Sequence, residues 1–254
     1  LNQPGCYRNV KDNTVVAQFK VIRNKKSEFL FKDVDTELYF IAWTTTPWTL
    51  PSNTALAVGK NIEYVKIKTI NKYTSIPVTV ILGKELVDKY FPTKVSKKGK
   101  EESVSHTVSH KILDTYKGSD LKDIRYEQLM PYAQPKDGDA FKVIIGNFVT
   151  TDEGTGIVHI APSFGADDFL VGKQNGMGSL TLVNKKGQFT DEMGEFAGRY
   201  VKPEFSPDFD PKAPENVDID IIVKLKKENK AFKTEKYEHS YPHCWRTDKP
   251  ILYY

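Results

Sequence analysis

The chain has 254 residues, of which 39% are hydrophobic and 28% are charged, so it can bury a core as one large domain or two small ones. A formal net charge of +4 is compatible with contact to RNA but excludes a strongly basic nucleic-acid-binding arm. Two cysteines are too few for a disulfide framework, and no apolar run reaches the ~20 residues that would span a bilayer. We therefore expect a cytoplasmic protein without a membrane partner, and the missing initiator Met suggests a fragment of a longer chain.

Short strands dominate the predicted secondary structure. β-Branched and aromatic residues alternate or cluster over residues 14–22, 37–43, 54–58, 63–68, 78–82 and 142–150. Residues 29–31 indicate a further short strand, residues 83–91 have helical spacing, and residues 93–107 indicate a charged loop. This pattern predicts an α+β, mainly β fold with a distorted β-barrel core and peripheral helices.

The C-terminal part differs from the rest. Residues 203–214 contain four prolines and no periodicity, whereas residues 215–229 predict an amphipathic helix that leads into a polar, strand-like run. We expect residues 1–254 to form a single domain, with residues 203–240 as a peripheral loop–helix–strand extension.

The first candidate site segment is residues 43–53, with the sequence WTTTPWTLPSN. It follows the buried strand predicted at residues 37–43, and its two prolines force the chain to turn. Backbone groups in such a turn cannot all pair with one another, so some are free to meet a ligand. The ordinary alternative is structural, because threonine is a common strand residue.

The second candidate segment is residues 154–169, with the sequence GTGIVHIAPSFGADDF, which predicts a turn, a strand, a turn and a helix. Asp167 and Asp168 fall in the first turn of that helix, where the helix dipole favours ionised carboxylates. A fixed carboxylate beside the strand that carries His159 could bind a small cation such as an α-ammonium group. The structural alternative is a helix-start carboxylate and a histidine packed in the core.

Other chemistries find no support in the sequence. No Ser or Cys lies in a nucleophile-elbow motif. His239, His243 and Cys244 lack a fourth ligand at suitable spacing, so no metal site is expected. Residues 154–156 are not followed by the Lys and Ser/Thr of a phosphate-binding loop. No cofactor is therefore expected.

Taken together and in this order, residues 43–53 and 154–168 resemble the editing domain of isoleucyl-tRNA synthetase, the connective peptide inserted between the halves of its catalytic fold. Residues 117–121 and Tyr126 also fit, and residues 241–246, YPHCWR, resemble the return from that insertion. The resemblance covers nearly the whole chain, and it rests on two long motifs in the right order.

Related enzymes narrow the resemblance by contrast. The Arg-Pro-Glu-Thr-Met-like motif of the valine and leucine enzymes is absent from this sequence, and the valine enzyme has Lys where His159 stands. The His-Ile-Gly-His and Lys-Met-Ser-Lys-Ser signatures are also absent, so ATP binding is expected only of the full-length enzyme. The Phe164-Gly165 pair, the proline-rich segment and the late helix resemble the eukaryotic cytosolic or archaeal-type branch.

The resemblance implies hydrolytic proofreading. A pocket rejects a substrate that lacks one methylene by only roughly 1–3 kcal/mol, a limit for which the isoleucine enzyme is itself the usual example. A second site would therefore hydrolyse Val-tRNA(Ile), with valyl-adenylate as a further candidate substrate. The implied partners are the acceptor end of tRNA(Ile) and the remainder of the synthetase.

The resemblance also implies catalytic roles. Asp168 would hold the α-ammonium group of the substrate in its ionised form, with Asp167 either supporting it or facing solvent. Thr45 and Thr46 would bind the ester and a water molecule. That water would be the nucleophile, positioned by these groups and by the ribose hydroxyl of the substrate.

The remaining candidates would bind substrate. Trp43 and Thr44 would contribute backbone groups to the ester site, and Thr49 and His159 would form the wall that excludes isoleucine. Asn53 would fix the loop or contact the terminal adenosine. Two alternatives stay open: a module that binds the tRNA acceptor end without hydrolysis, and a Thr-rich barrel that binds a small amino compound without chemistry.

Overall fold

The computed structural model describes residues 5–92, 109–212 and 215–253, and the charged loop predicted at residues 93–107 lies outside these ranges. The strands are β1 (Tyr7–Lys20), β2 (Glu37–Thr44), β3 (Ala55–Val58), β4 (Glu63–Ile70), β5 (Pro77–Gly83), β6 (Lys111–Lys117), β7 (Lys142–Ile145), β8 (Ile157–Ile160) and β9 (Ala231–Pro242). The α-helices are α1 (Val87–Tyr90), α2 (Gly118–Leu121), α3 (Ala166–Gln174) and α4 (Val217–Lys227). Further 3-10 helices lie at Glu28–Phe31, Pro47–Ser52, Lys84–Leu86, Asp191–Phe196 and Pro203–Phe205.

These strands form two open sheets. The larger sheet has the order β6-β4-β5-β2-β1-β9, and the smaller has the order β7-β3-β8. Pairing is parallel between β2 and β5 and between β3 and β7, and antiparallel elsewhere. The predicted α+β, mainly β class is confirmed. The word barrel describes too closed a structure, because β6 and β9 end the larger sheet within the described residues.

The main core lies between the two sheets. Because side chains alternate along a strand, Phe40 of β2 enters this core while Ile41 enters a second cluster on the other face of the large sheet. Leu56 of β3 likewise faces the shared core, and Ala57 packs in a third cluster with Val171 of α3. Strand β2 is thus buried on both faces, which explains its nearly continuous apolar sequence.

Two local predictions are wrong. Residues 29–31 belong to the 3-10 helix Glu28–Phe31 rather than a strand, because the Ser27 backbone carbonyl accepts a hydrogen bond from the Leu30 N–H at 2.9 Å and starts a tight turn. The strand predicted at residues 142–150 ends at Ile145. There the chain turns, with the Val149 N–H donating to the Gly146 carbonyl at 3.3 Å.

The segment 203–240 reaches the candidate site region. Helix α4 packs against the 3-10 helix Pro47–Ser52 and against β1. Strand β9 pairs antiparallel with β1, from Tyr7 opposite Pro242 to Ala17 opposite Ala231. This segment therefore supplies an edge strand of the large sheet and supports the turn that follows β2.

One tyrosine hydroxyl joins the two sheets. Tyr64 of β4 is fully buried, and its hydroxyl accepts a hydrogen bond from the Gly59 N–H at 2.9 Å and donates to the Gly156 carbonyl at 2.7 Å. Gly59 directly follows β3 and Gly156 directly precedes β8. Burial raises the pKa of Tyr64 to about 12, so the hydroxyl stays protonated and keeps its donor.

We expect Tyr64→Phe to lower the free energy of unfolding by about 1–3 kcal/mol, because it leaves two buried backbone groups without a partner. Denaturant unfolding measures the change. Tyr132→Phe is the matched control, since that hydroxyl bonds Glu195 at the exposed surface and its loss should change stability by only about 0.5 kcal/mol. Equal losses in the two variants would contradict the role of Tyr64 as the link between the sheets.

Candidate functional site

The Thr-rich turn after β2 gathers three hydroxyl groups. The Thr46 N–H donates to Thr44 Oγ1 at 3.0 Å, and the Thr49 hydroxyl donates to the Thr46 carbonyl at 2.8 Å. The hydroxyl oxygens of Thr44 and Thr46 lie 3.2 Å apart, and those of Thr46 and Thr49 lie 3.3 Å apart. Pro47 begins the following 3-10 helix, where its missing N–H is not needed. The turn therefore presents a row of hydroxyls on one side.

A buried hydrogen-bond network fixes His159 against this row. The Tyr126 hydroxyl donates to Asn53 Oδ1 at 2.7 Å, and Asn53 Nδ2 donates to the Ala55 carbonyl at 2.8 Å, which sets the orientation of the amide. Asn53 Nδ2 then donates to His159 Nδ1 at 3.2 Å. We infer that the His159 proton is on Nε2, which donates to Thr49 Oγ1 at 2.9 Å.

His159 is consequently a neutral wall residue. Burial lowers its pKa to about 4, so it carries no charge at neutral pH. Its Nδ1 lone pair already accepts from Asn53, so the ring has no free lone pair with which to remove a proton from water. Asn53, only 2% exposed, lies behind the ring. Of the two roles predicted for Asn53, the geometry supports fixing the loop.

Asp168 lies in the first turn of α3 and is partly buried. The Ala161 N–H donates to Asp168 Oδ2 at 2.8 Å, and no residue in the described ranges hydrogen-bonds its Oδ1. Burial raises the pKa of Asp168 to about 6, although the Ala161 hydrogen bond opposes this shift, and the neighbouring charge of Asp167 adds to it. Desolvation therefore dominates, and a pKa of about 6 still leaves the ionised form favoured at pH 7.

The two segments meet in one cleft with a volume of about 400 Å³. Most of the predicted site residues line it: Trp43, Thr44, Thr45, Thr46, Thr49, His159 and Asp168. Asn53 and Asp167 do not, because Asn53 is covered by His159 and Asp167 points into solvent. The cleft thus places the Asp168 carboxylate and a row of hydroxyls around a single hollow. Glu153 also lines it, and its Oε1 accepts a hydrogen bond from the Tyr237 hydroxyl at 2.9 Å.

Several contributors were missed by sequence reasoning. Phe148, which is 40% exposed, and Phe164 line the cleft, and Phe164 packs edge-to-face on Trp48 with ring centroids 5.1 Å apart. Phe164 lies within the second candidate segment, so the sequence could have indicated that it lines the cleft. Tyr126 was named only as part of the resemblance. Its hydrogen bond to Asn53 and the role of the Ala161 N–H were not predicted, because a distant side chain and a backbone donor acquire their roles only through the fold.

Across residues 5–92, 109–212 and 215–253, no group of three or more His, Cys, Asp or Glu side chains could hold a metal ion. In the same part of the chain, no helix is both long and apolar enough to cross a membrane.

The chain is similar to proteins of one class. No family model matches the chain. Isoleucine–tRNA ligase of Cytophaga hutchinsonii is 53% identical over 275 residues, which cover 100% of this chain and 24% of that enzyme. The same enzyme of Bacteroides fragilis is 48% identical over 282 residues, covering 100% and 24%, and that of Clostridium tetani is 38% identical over 248 residues, covering 98% and 20%. The chain spans about a quarter of the length of the first two relatives.

Solved structures give more distant likenesses. The crystal structure of GlLeuRS-CP1 is 19% identical with a TM-score of 0.49, covering 64% of this chain and 63% of that one. The Plasmodium falciparum cytosolic leucyl-tRNA synthetase editing domain is 13% identical with a TM-score of 0.45, covering 86% and 80%.

The sequence relatives are aminoacyl-tRNA ligases as a class. More narrowly, the chain is homologous to one segment of bacterial isoleucine–tRNA ligases. The eukaryotic cytosolic branch expected from the sequence is not supported. The relatives that match the whole chain at 53% and 48% identity are bacterial enzymes.

The raised pKa of Asp168 predicts a pH-dependent stability. The pKa is about 6 in the folded protein and near 3.8 in the unfolded chain. At pH values between these two, the folded state therefore binds more protons than the unfolded chain does. The free energy of unfolding should therefore rise as pH falls from about 7 to about 4, by at most ~3 kcal/mol from this group. Asp168→Asn keeps an acceptor for the Ala161 N–H but should lack this rise. Denaturant unfolding at several pH values tests it, and a pH-independent difference between the two proteins would contradict it.

Proposed function

We propose that this chain is the editing domain of an isoleucine–tRNA ligase and that it hydrolyses the ester of Val-tRNA(Ile). The observation that carries the proposal is the cleft itself, in which the free Oδ1 of Asp168 shares one hollow with a row of threonine hydroxyls. Homology to a segment of isoleucine–tRNA ligases supports it. In this proposal residues 1–254 act as one domain, with the tRNA(Ile) acceptor end and the rest of a cytoplasmic ligase as partners. Valyl-adenylate is a second candidate substrate.

Asp168 is proposed to bind the α-ammonium group of the valyl ester. Its Oδ2 is held by the Ala161 N–H, which leaves Oδ1 for the ligand. An ammonium group beside Oδ1 would favour the ionised carboxylate, so substrate binding should lower the pKa of Asp168 from its raised value of about 6. The partly buried position makes the pair stronger than a surface ion pair would be.

The proposed hydrolysis uses positioning rather than a strong base. His159 is neutral and its Nδ1 is engaged by Asn53, so it does not deprotonate the attacking water. Thr45 has no side-chain partner among the described residues, and its hydroxyl is therefore available to orient the ester or the water. The hydroxyl of Thr46 and the ribose hydroxyl next to the ester would hold the water in line. An ester requires less activation than an amide.

Size exclusion is proposed to come from a rigid wall. Thr49 is 5% exposed and His159 is 8% exposed, and the two side chains are hydrogen-bonded to each other at 2.9 Å. Asn53 and Tyr126 lock the ring from behind. Because the wall cannot move aside without breaking these buried hydrogen bonds, the extra methylene of isoleucine would collide with it.

A second candidate function is a module that binds the tRNA acceptor end without hydrolysis. One observation favours it: the histidine that lines the cleft has no lone pair free to act as a base. The full-length protein incubated with Val-tRNA(Ile) separates the two functions. Release of valine faster than spontaneous hydrolysis supports editing, and binding without faster release supports the binding module.

Removing the carboxylate tests the ammonium site. Asp168→Ala should lower kcat/KM for Val-tRNA(Ile) by at least about thirtyfold, because truncating one partner of a buried, hydrogen-bonded charge pair costs about 2–5 kcal/mol. Asp167→Asn is the control, since the neighbouring side chain is exposed and outside the cleft. Valine release from Val-tRNA(Ile) is the measurement. Wild-type deacylation by Asp168→Ala would remove the role assigned to Asp168.

Enlarging the cleft tests the size filter. His159→Ala and Thr49→Ala should each allow hydrolysis of Ile-tRNA(Ile), which the wild type spares, because each removes part of the wall. Thr49→Val keeps the volume but removes the hydrogen bond to His159. Protection of Ile-tRNA(Ile) by this variant would show that volume excludes isoleucine, and its hydrolysis would show that the hydrogen bond is needed to hold the wall. Release of labelled isoleucine measures the outcome. Full protection of Ile-tRNA(Ile) in both alanine variants would show that the wall lies elsewhere.

A further inference from the structure

The 3-10 helix Pro47–Ser52 is anchored by a residue from the far end of the chain. Its N-cap residue, Thr46, makes no side-chain capping hydrogen bond. Instead, Asp218 in the first turn of α4 accepts a hydrogen bond from the Trp48 N–H on its Oδ1, at 2.8 Å. Asp218 is only 4% exposed. A backbone donor of the Thr-rich turn is thus satisfied by a carboxylate 170 residues away in sequence.

Asp218 belongs to a group of ionisable side chains, buried or half-buried, that the proposed hydrolysis does not use. Lys202 is 7% exposed, its Nζ lies 3.4 Å from Asp12 Oδ2, and it stands 4.8 Å from the ring centre of Tyr241. Asp12 also lies 3.2 Å from His239 Nε2. Burial raises the pKa of Asp218 to about 7 although the charge of Lys202 opposes the shift. Burial lowers the pKa of Lys202, but Asp218 and Asp12 more than compensate, so its pKa is raised.

Stability alone is a weak explanation for such a group. Taking charges out of water is expensive, and apolar replacements of buried ion pairs are often neutral or stabilising. Glu204, whose charge also acts on Asp218, has a buried Oε2 without a partner among the described residues. The hydrogen bond from the Trp48 N–H gives the buried Asp218 a structural role that ion pairing alone does not.

Trp48 connects this buried group to the cleft. Its indole ring is 3% exposed and packs edge-to-face on Phe164, which lines the cleft. The next residue along the chain is Thr49, whose Oγ1 accepts from His159. A shift of the Trp48 backbone would therefore move both Phe164 and the wall formed by Thr49 and His159.

We propose that Asp218 is a positioning residue for the cleft: by holding the Trp48 N–H, it sets the placement of Thr46, Thr49 and Phe164. The expected effect on rate rests on the proposed editing function. The hydrogen bond by which Asp218 holds the Trp48 N–H does not depend on that function. Asp218 does not line the cleft, so its loss should impair orientation of the reacting groups more than substrate binding.

The test compares Asp218→Ala, Asp218→Asn and the control Asp220→Ala in the full-length protein. Asp220 lies on the same helix but pairs with Arg199 at the exposed surface. Asp218→Ala should lower kcat for Val-tRNA(Ile) between about tenfold and about a hundredfold with little change in KM, as a small misplacement of catalytic groups does. Asp218→Asn keeps an oxygen acceptor for the Trp48 N–H. Its kcat should therefore stay within about threefold of the wild-type value, which is less than the tenfold change that corresponds to about 1.4 kcal/mol. Asp220→Ala should behave as the wild type.

A second readout does not depend on activity. Hydrogen–deuterium exchange in a peptide covering residues 44–53 should become faster in Asp218→Ala and remain slow in Asp218→Asn and Asp220→Ala. If Asp218→Ala does not fold, Asp218→Ser serves in its place, because serine favours a helix start but is too short to reach Trp48. Unchanged exchange and an unchanged kcat in the shortened variant would overturn the inference, as would an asparagine variant as impaired as the shortened one. A wild type that does not deacylate Val-tRNA(Ile) at all would overturn the proposed function, while the exchange experiment would still decide whether Asp218 holds the turn.

Discussion

The hydrogen bond from the Ala161 N–H to Asp168 Oδ2 is the interaction on which the site depends. Desolvation alone would push a partly buried carboxyl toward its neutral form, and this donor opposes that tendency. The balance leaves a pKa of about 6, so the group is mostly charged at neutral pH yet sensitive to a nearby cation. The same hydrogen bond engages Oδ2 and leaves Oδ1 available to the cleft. Without this bond, nothing among the described residues would orient the Asp168 carboxyl group, and desolvation would favour its neutral form.

The two halves of the cleft are brought together by the sheets. The Thr-rich turn leaves the large sheet at the end of β2, and Asp168 follows β8 of the small sheet. Pairing of β3 with β8 sets Leu56 opposite His159, and Tyr64 ties the ends of both strands to the large sheet. Buried polar networks of this kind are costly unless every member is satisfied, and a satisfied one admits few alternative arrangements. The rigidity on which the proposed size filter relies is therefore a property of the packing between the sheets.

Much of the site could be predicted from the sequence because its residues lie in two continuous segments. Prolines at 47 and 51 indicated the turn, and the change from strand to helix spacing located Asp168. The sign of the Asp168 pKa shift could not be predicted, since the helix dipole is visible in a sequence and desolvation is not. Tyr126 and Asp218 were also out of reach, because each acts through one hydrogen bond to a residue far away in the chain. The open sheets were described as a barrel because a strand pattern does not reveal whether its edges pair.

The most direct test of this account is the pKa of the Asp168 carboxyl, measured by NMR with and without a nonhydrolysable valyl-adenosine analogue. We expect a pKa of about 6 in the free protein and a lower pKa in the complex, because the α-ammonium group favours the ionised carboxylate. A pKa that does not change when the analogue binds would place the ammonium group elsewhere and contradict the central role of Asp168.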